Sequence, residues 1–162
     1  WLYIILSFEG KRLFGRFHLT LEKFEDLKGH RHFDAPLASI TGVTCLNEFV
    51  FFFYSSQEVH AYHRVDRYWE EDIACLPYAE SIAVCGVGGK WLVSLSWETA
   101  SRLRVCKLNV QDFLYGEWIE ASISRPFGLY KRDGSKRELQ LIPFHPKVGE
   151  NAIAIVSMSY LD

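Results

Sequence analysis

The feature that most constrains this chain is a loose internal repeat. Phe17-His18-Leu19-Thr20-Leu21-Glu22-Lys23-Phe24-Glu25-Asp26-Leu27 lines up with Tyr62-His63-Arg64-Val65-Asp66-Arg67-Tyr68-Trp69-Glu70-Glu71-Asp72 at a constant offset of 45 residues. An aromatic-His pair, a polar turn and a second aromatic recur together. A third copy begins at Val105-Cys106-Lys107-Leu108 and, after a slightly longer turn, reaches Trp118, which lies 49 residues beyond Trp69. A short apolar run precedes each copy: Leu2–Leu6, Phe49–Tyr54 and Trp91–Leu95. Each unit reads as an inner strand, a hairpin, a second strand, a polar turn and an outer strand carrying a large ring.

Short runs rich in aromatic and β-branched residues, bounded by turn residues, mark strands rather than helices. Besides the three above, they include Leu13–Leu19, Ile40–Leu46, Val59–His63, Ile82–Val87, Leu103–Leu108, Leu139–Ile142 and Ala152–Met158. Many strands joined by short turns predict an antiparallel all-β protein. A period of about 40–50 residues with four short strands per unit is the signature of a β-propeller blade. The expected fold is therefore a partial β-propeller of antiparallel four-stranded blades, a single domain over 1–162 with blades near 1–36, 37–78, 79–125 and 126–162. Dividing 162 residues by about 45 gives roughly three and a half blades, an incomplete ring whose beginning lies elsewhere. Phe24, Trp69 and Trp118 are expected to fill the space between neighbouring blades, which accounts for an aromatic content of 15%.

A net charge of −2 gives no long-range field for nucleic acid or an anionic membrane, so neither is an expected partner. The unbroken apolar run Phe49–Tyr54, which no other run exceeds, is far short of the roughly 20 residues that a helical membrane span needs. Trp1 to Phe8 is apolar but lacks a basic leader and a small-residue cleavage site, so it reads as a strand. Cys45, Cys75, Cys85 and Cys106 stand singly in apolar stretches without metal-site spacing and read as reduced core residues of a cytoplasmic or nuclear protein.

Gly86-Val87-Gly88-Gly89-Lys90 leads into the strand-like Trp91-Leu92-Val93-Ser94-Leu95, so it reads as a hairpin and not as a phosphate loop, which would open a helix. His30 with His32, and His60 with His63, are close in sequence, but no third ligand completes either pair, so solvent-edge histidines and no metal are expected. On a strand His60 and His63 would face opposite ways. His145, between Pro143 and Pro146, is expected to be fixed in a turn. Glu70-Glu71-Asp72 reads as a solvated charge run. Lys131, Arg132, Lys136 and Arg137 flank the Asp133-Gly134 turn and read as a soluble hairpin tip, or as a contact for an acidic segment of a partner. No nucleophile with a base partner stands out, so no enzymatic activity and no cofactor are expected.

Tyr62, Trp69, Leu76 and Pro77, within "HAYHRVDRYWEEDIACLP", resemble the kelch pattern of Tyr, polar turn, Trp and Leu-Pro. "RLRVCKLNVQDFLYGEWIEASIS" at Arg102–Ser124, and "LQLIPFHP" at Leu139–Pro146 followed by "NAIAIVSMSYLD", are similar to the F-box-associated propeller domains of plants. Kelch blades carry a Gly-Gly doublet after the inner strand where this chain has Ser55-Ser56, which favours the plant-type propeller. The resemblance implies the substrate-recognition propeller of an F-box subunit of a cullin-based ubiquitin ligase. It would bind a protein target, and would meet a Skp-type adaptor only through an F-box absent from this chain. Tyr54, His60, Trp97, Arg102 and Tyr130 are the expected contact residues because they flank loops. The alternatives are a glycan-processing or other enzyme on a propeller scaffold and a kelch-like scaffold outside any ligase.

Overall fold

The computed structural model describes residues 1–8, 11–27, 40–70, 73–76, 81–96, 102–122, 138–144, 147–150 and 152–158. The described residues contain fourteen strands, β1 to β14, and no helix. The chain divides into two compact units, Trp1–Ser39 and Ile40–Asp162.

The first unit holds one antiparallel sheet of β1 (Leu2–Phe8), β2 (Lys11–His18) and β3 (Lys23–Asp26). Phe14 is its fully buried side chain, with the ring of Tyr3 stacked 6.1 Å away. Arg16 is buried as well, a placement that costs desolvation unless the charge is paired. It meets Glu25 across the ladder at 2.8 Å and lies 4.0 Å from the Trp1 ring centroid.

The second unit holds three sheets in chain order. β4 (Ile40–Leu46), β5 (Phe49–Tyr54), β6 (Val59–His63) and β7 (Trp69–Glu70) form an antiparallel meander. β8 (Ser81–Val87), β9 (Trp91–Ser96) and β10 (Arg102–Asn109) follow, and β10 pairs on its far side with both β11 (Leu114–Tyr115) and β12 (Ile119–Ser122). β13 (Glu138–Phe144) and β14 (Ala152–Met158) make the last hairpin. The all-β, antiparallel expectation holds. The bounds of β4, β5, β6 and β14 are those of the corresponding apolar runs, because period-2 alternation and turn residues are local signals.

Two apolar layers join these sheets. Phe51, Phe53, Val59 and Ala61 pack with Val84, Leu92, Cys106 and Leu108, which places the second sheet of the chain against the third. On the other face of the third sheet, Cys85, Val93 and Leu95 pack with Leu139, Leu141, Ile153 and Ile155 of the last hairpin. The first strands of successive sheets are neighbours, β4 beside β8 and β8 beside β13. Thr44 Oγ1 accepts the Gly86 N–H at 2.9 Å, while a Cβ on Gly42 would overlap the Val84 carbonyl. The pairs 42/84 and 44/86 advance together, so β4 and β8 run side by side in the same direction.

One expectation is corrected here. Phe49–Tyr54 and Trp91–Leu95 are not the first strands of their sheets, because β4 and β8 precede them at the sheet edge. β5 is more apolar than β4 because Val50 to Tyr54 are buried on both of its faces, whereas Val43 of β4 is 41% exposed. A strand covered on both sides reads as a continuous apolar run.

The repeat has a definite geometry. His18 faces Lys23, His63 meets Tyr68 through a backbone hydrogen bond, and Asn109 faces Leu114. Each pair closes a four-residue turn, over 19–22, 64–67 and 110–113. The fourth residue is left-handed each time, with φ of 50° at Glu22, 60° at Arg67 and 55° at Phe113. His18 Nδ1 accepts the Leu21 N–H at 3.1 Å and His63 Nδ1 accepts the Asp66 N–H at 3.0 Å. Asn109 Oδ1 accepts the Gln111 N–H at 3.3 Å. The recurring His is thus a turn-closing acceptor, and Asn takes its place in the third copy.

The same register relocates the third ring. Phe17 pairs with Phe24, Tyr62 with Trp69 and Leu108 with Tyr115. Tyr115, rather than Trp118, occupies the ladder position of Phe24 and Trp69. Beyond it Val105 pairs with Ile119, so one extra residue has entered the outer strand and splits it into β11 and β12. The turn itself has the same length as in the other two copies. Trp118 is half-buried against the layer between the second and third sheets, Trp69 packs on Phe52 and Tyr62, and Phe24 is 39% exposed.

Candidate functional site

Because β4 and β8 run in the same direction, the β4–β5, β6–β7, β8–β9 and β10–β11 turns lie at one end of the second and third sheets. The Ser55–Glu58 turn between β5 and β6 lies at the other end. The expected contact residues Tyr54 and His60 flank that second turn, yet they are only 2% and 7% exposed. Their rings pack on each other 5.0 Å apart. A residue next to a turn still belongs to the sheet face set by its register, and here that register buries both rings. Arg102 opens β10, while Trp97, Tyr130 and the side chain of Arg102 lie outside the described residues. So do His30, His32, His145, the Glu71-Asp72 pair and the Lys131–Arg137 cluster.

The end formed by the β4–β5 and β6–β7 turns is tied together by His63. Its ring is buried against Phe49, 4.6 Å between centroids, and stacks on Tyr68 at 5.1 Å. Nε2 faces the Glu48 carboxylate at 3.4 Å, and Nδ1 lies 3.1 Å from the Asp66 carboxylate. Nδ1 also accepts the Asp66 N–H, so the ring is held from both of its nitrogens. Arg64 donates from its guanidinium to the Asn47 carbonyl and from its backbone N–H to the Glu48 carbonyl. His60 lies on the opposite face of β6, as alternation requires, but neither histidine sits at a solvent edge.

Beside this node a depression of about 510 Å³ opens between the β4–β5, β8–β9 and β10–β11 turns. Asn47, Lys90, Lys107, Asn109, Gln111 and Leu114 contribute to its lining. The glycines of Gly88-Gly89-Lys90 form the tight β8–β9 turn that brings Lys90 to it, with φ of 58° and 72°, and the segment is the hairpin its sequence predicts. Tyr115 donates its hydroxyl to the Ala74 carbonyl at 2.8 Å. Burial pushes that phenol upward from its usual range, so it stays protonated at neutral pH.

A second cavity, of about 320 Å³, lies along the first strands, with Thr41, Gly42 and Val43 of β4, Val84 of β8, and Gln140 and Leu141 of β13 on its walls. It is a gap between backbone ladders, and its lining carries no ionisable side chain.

The cysteines divide two and two, which corrects the expectation of four core thiols: Cys85 and Cys106 are buried, Cys45 and Cys75 exposed. Burial pushes the Cys85 thiol to about 11 and the Cys106 thiol to about 12. Burial also raises that of Cys45, with the Arg64 charge opposing. In the native protein at pH 8, a water-soluble disulfide reagent is expected to modify Cys75 readily, Cys45 more slowly, and Cys85 and Cys106 only after unfolding. Mass mapping of the modified thiols checks this, and early labelling of Cys106 would contradict the packing between the second and third sheets.

Among the described residues no three His, Cys, Asp or Glu side chains come together as a metal-holding group, and no helix is long and apolar enough to cross a membrane. No protein-family model matches the chain, and no curated protein matches it either.

Proposed function

We propose that this chain forms part of a β-propeller that recognises a protein target, as the substrate-recognition part of an F-box subunit of a cullin-based ubiquitin ligase. The observation that carries the reading is the arrangement of first strands in the second unit. β4 lies beside β8 in the same direction and β8 lies beside β13, while the apolar faces of the three sheets meet in two successive layers. Sheets stacked about adjacent first strands are what a propeller is made of. The repeated four-residue hairpin, with its turn-closing His or Asn, supports the same reading, since each unit renews one local solution. In such a scaffold the ladders hold the loops rigidly, and recognition falls to the loop ends.

A Skp-type adaptor would be reached through an F-box outside these residues. The test is affinity capture of the full-length protein from its host, with recovery of a Skp-type adaptor and a cullin by mass spectrometry as the expected result. Failure to recover both in a capture that retains the bait ends the ligase reading.

A further inference from the structure

We propose that the depression between the β4–β5, β8–β9 and β10–β11 turns binds a carboxylate-rich peptide segment of a protein partner. The inference rests on the protein-recognition reading and assigns it a site, at the end of the sheets opposite Tyr54 and His60.

Charge is the first argument. Lys90 and Lys107 both line the depression, and among the described residues none of its lining is acidic. Other cations of this unit are engaged: Arg104 with Glu120 at 3.3 Å, Lys147 with Glu150 at 3.9 Å, and Arg64 with the Asn47 carbonyl. Among the described residues neither Lys90 nor Lys107 has such a partner. Of the carboxylates on the surrounding turns, Glu48 and Asp66 face His63, and Asp112 Oδ1 accepts the Leu114 N–H at 3.3 Å. Two cations in a recess without a counter-charge favour an anionic ligand.

The second argument is chemical variety. Asn47, Asn109 and Gln111 add carboxamides able to donate to and accept from a peptide backbone, and Leu114, 61% exposed, adds an apolar contact at the rim. A small inorganic anion has no use for the apolar rim, whereas a peptide uses all three kinds of group. The volume of about 510 Å³ falls within the roughly 300–1,000 Å³ of ordinary ligand sites. The recess is also preformed. The Lys90 carbonyl accepts the Leu108 N–H at 2.8 Å, and the Lys107 carbonyl accepts the Gly116 N–H at 2.8 Å, so two sides of the recess belong to one ladder.

The test is fluorescence anisotropy on the intact chain with a fluorescein-labelled peptide of alternating Glu and Leu, against the same peptide with Lys for Glu. The acidic peptide is expected to bind and the basic one not to. The double variant Lys90→Ala, Lys107→Ala is expected to bind about tenfold more weakly or worse, with an unchanged circular dichroism spectrum. Lys147→Ala, which removes an exposed lysine far along the sequence, is expected to leave binding unchanged. Equal affinity for the double variant, an equal loss in Lys147→Ala, or displacement of the peptide by millimolar inorganic phosphate would each overturn the proposal. Adaptor capture does not depend on these lysines, so its failure is read separately from a failure here.

Discussion

Replacing Gly42 by valine is expected to cost about 3 kcal/mol or more, enough to disrupt the second unit of the chain. A Cβ at this position would overlap the carbonyl oxygen of Val84 and lie 3.1 Å from the Val84 Cβ. Backbone cannot rotate out of the way as a flexible side chain can, so β4 would have to move off β8. That movement would also stretch the hydrogen bond from the Gly86 N–H to Thr44. Gly86 meets the same constraint from the other strand, since its Cβ would fall 2.7 Å from both the Leu46 Cδ2 and the Thr44 Oγ1. Urea unfolding monitored by circular dichroism gives the magnitude, and amide exchange in β4 and β8 gives the location. Val43→Ala, next door but facing the open side, is expected to stay within about 0.5 kcal/mol of wild type. If Gly42→Val unfolds at the wild-type midpoint, β4 and β8 do not approach each other in this way.

Phe51→Ala is expected to destabilise the protein by about 3–5 kcal/mol, a large part of the 5–15 kcal/mol that typically holds a domain together. Phe51 is fully buried in the middle of β5. Its ring stacks with Phe53 at 6.2 Å and meets Phe113, from the β10–β11 turn, at 6.1 Å. Removing it leaves a cavity between two sheets whose ladders prevent them from closing around it. At about 2–4 °C per kcal/mol, the melting temperature should fall by on the order of 10 °C. Phe51→Leu keeps most of the volume and should cost about half as much. A fall below about 2 °C for the alanine variant would show that the second and third sheets do not share this layer.

How much of this fold is legible in the residues depends on how local each signal is. β5 and β6 announce themselves because Phe49–Tyr54 and Val59–His63 are dense in strand-forming residues and the Ser55–Glu58 segment between them is polar. β7 and β11, two residues each, carry too little pattern to stand out as strands; they exist because β6 and β10 offer an open ladder. By side-chain size the third ring is Trp118, since indole is the most conspicuous side chain in that segment. The diagnostic pattern is the spacing: a ladder residue, then His or Asn, then a ring seven positions after the first. Leu108, Asn109 and Tyr115 satisfy it as well as Tyr62, His63 and Trp69 do.

The candidate site was less legible for the same reason. Lys90 and Lys107 stand 17 positions apart in the chain, and Asn47 is further away still. Nothing in any one stretch shows that three turns converge. Tyr54 and His60 stand next to a loop in the sequence, but register turns both rings into the sheet.

What the sequence determined by itself was the strand content, the hairpins and their recurrence every 45 or so residues, because alternation, turn residues and a left-handed fourth position act over a few bonds. The tertiary structure alone decided which strand lies beside the next sheet, which faces meet and which cysteines are covered. It also decided that two lysines share one recess. Those outcomes depend on sheet-to-sheet packing, where a glycine matters for the backbone it lets approach and a lysine for the carboxylate it does not meet.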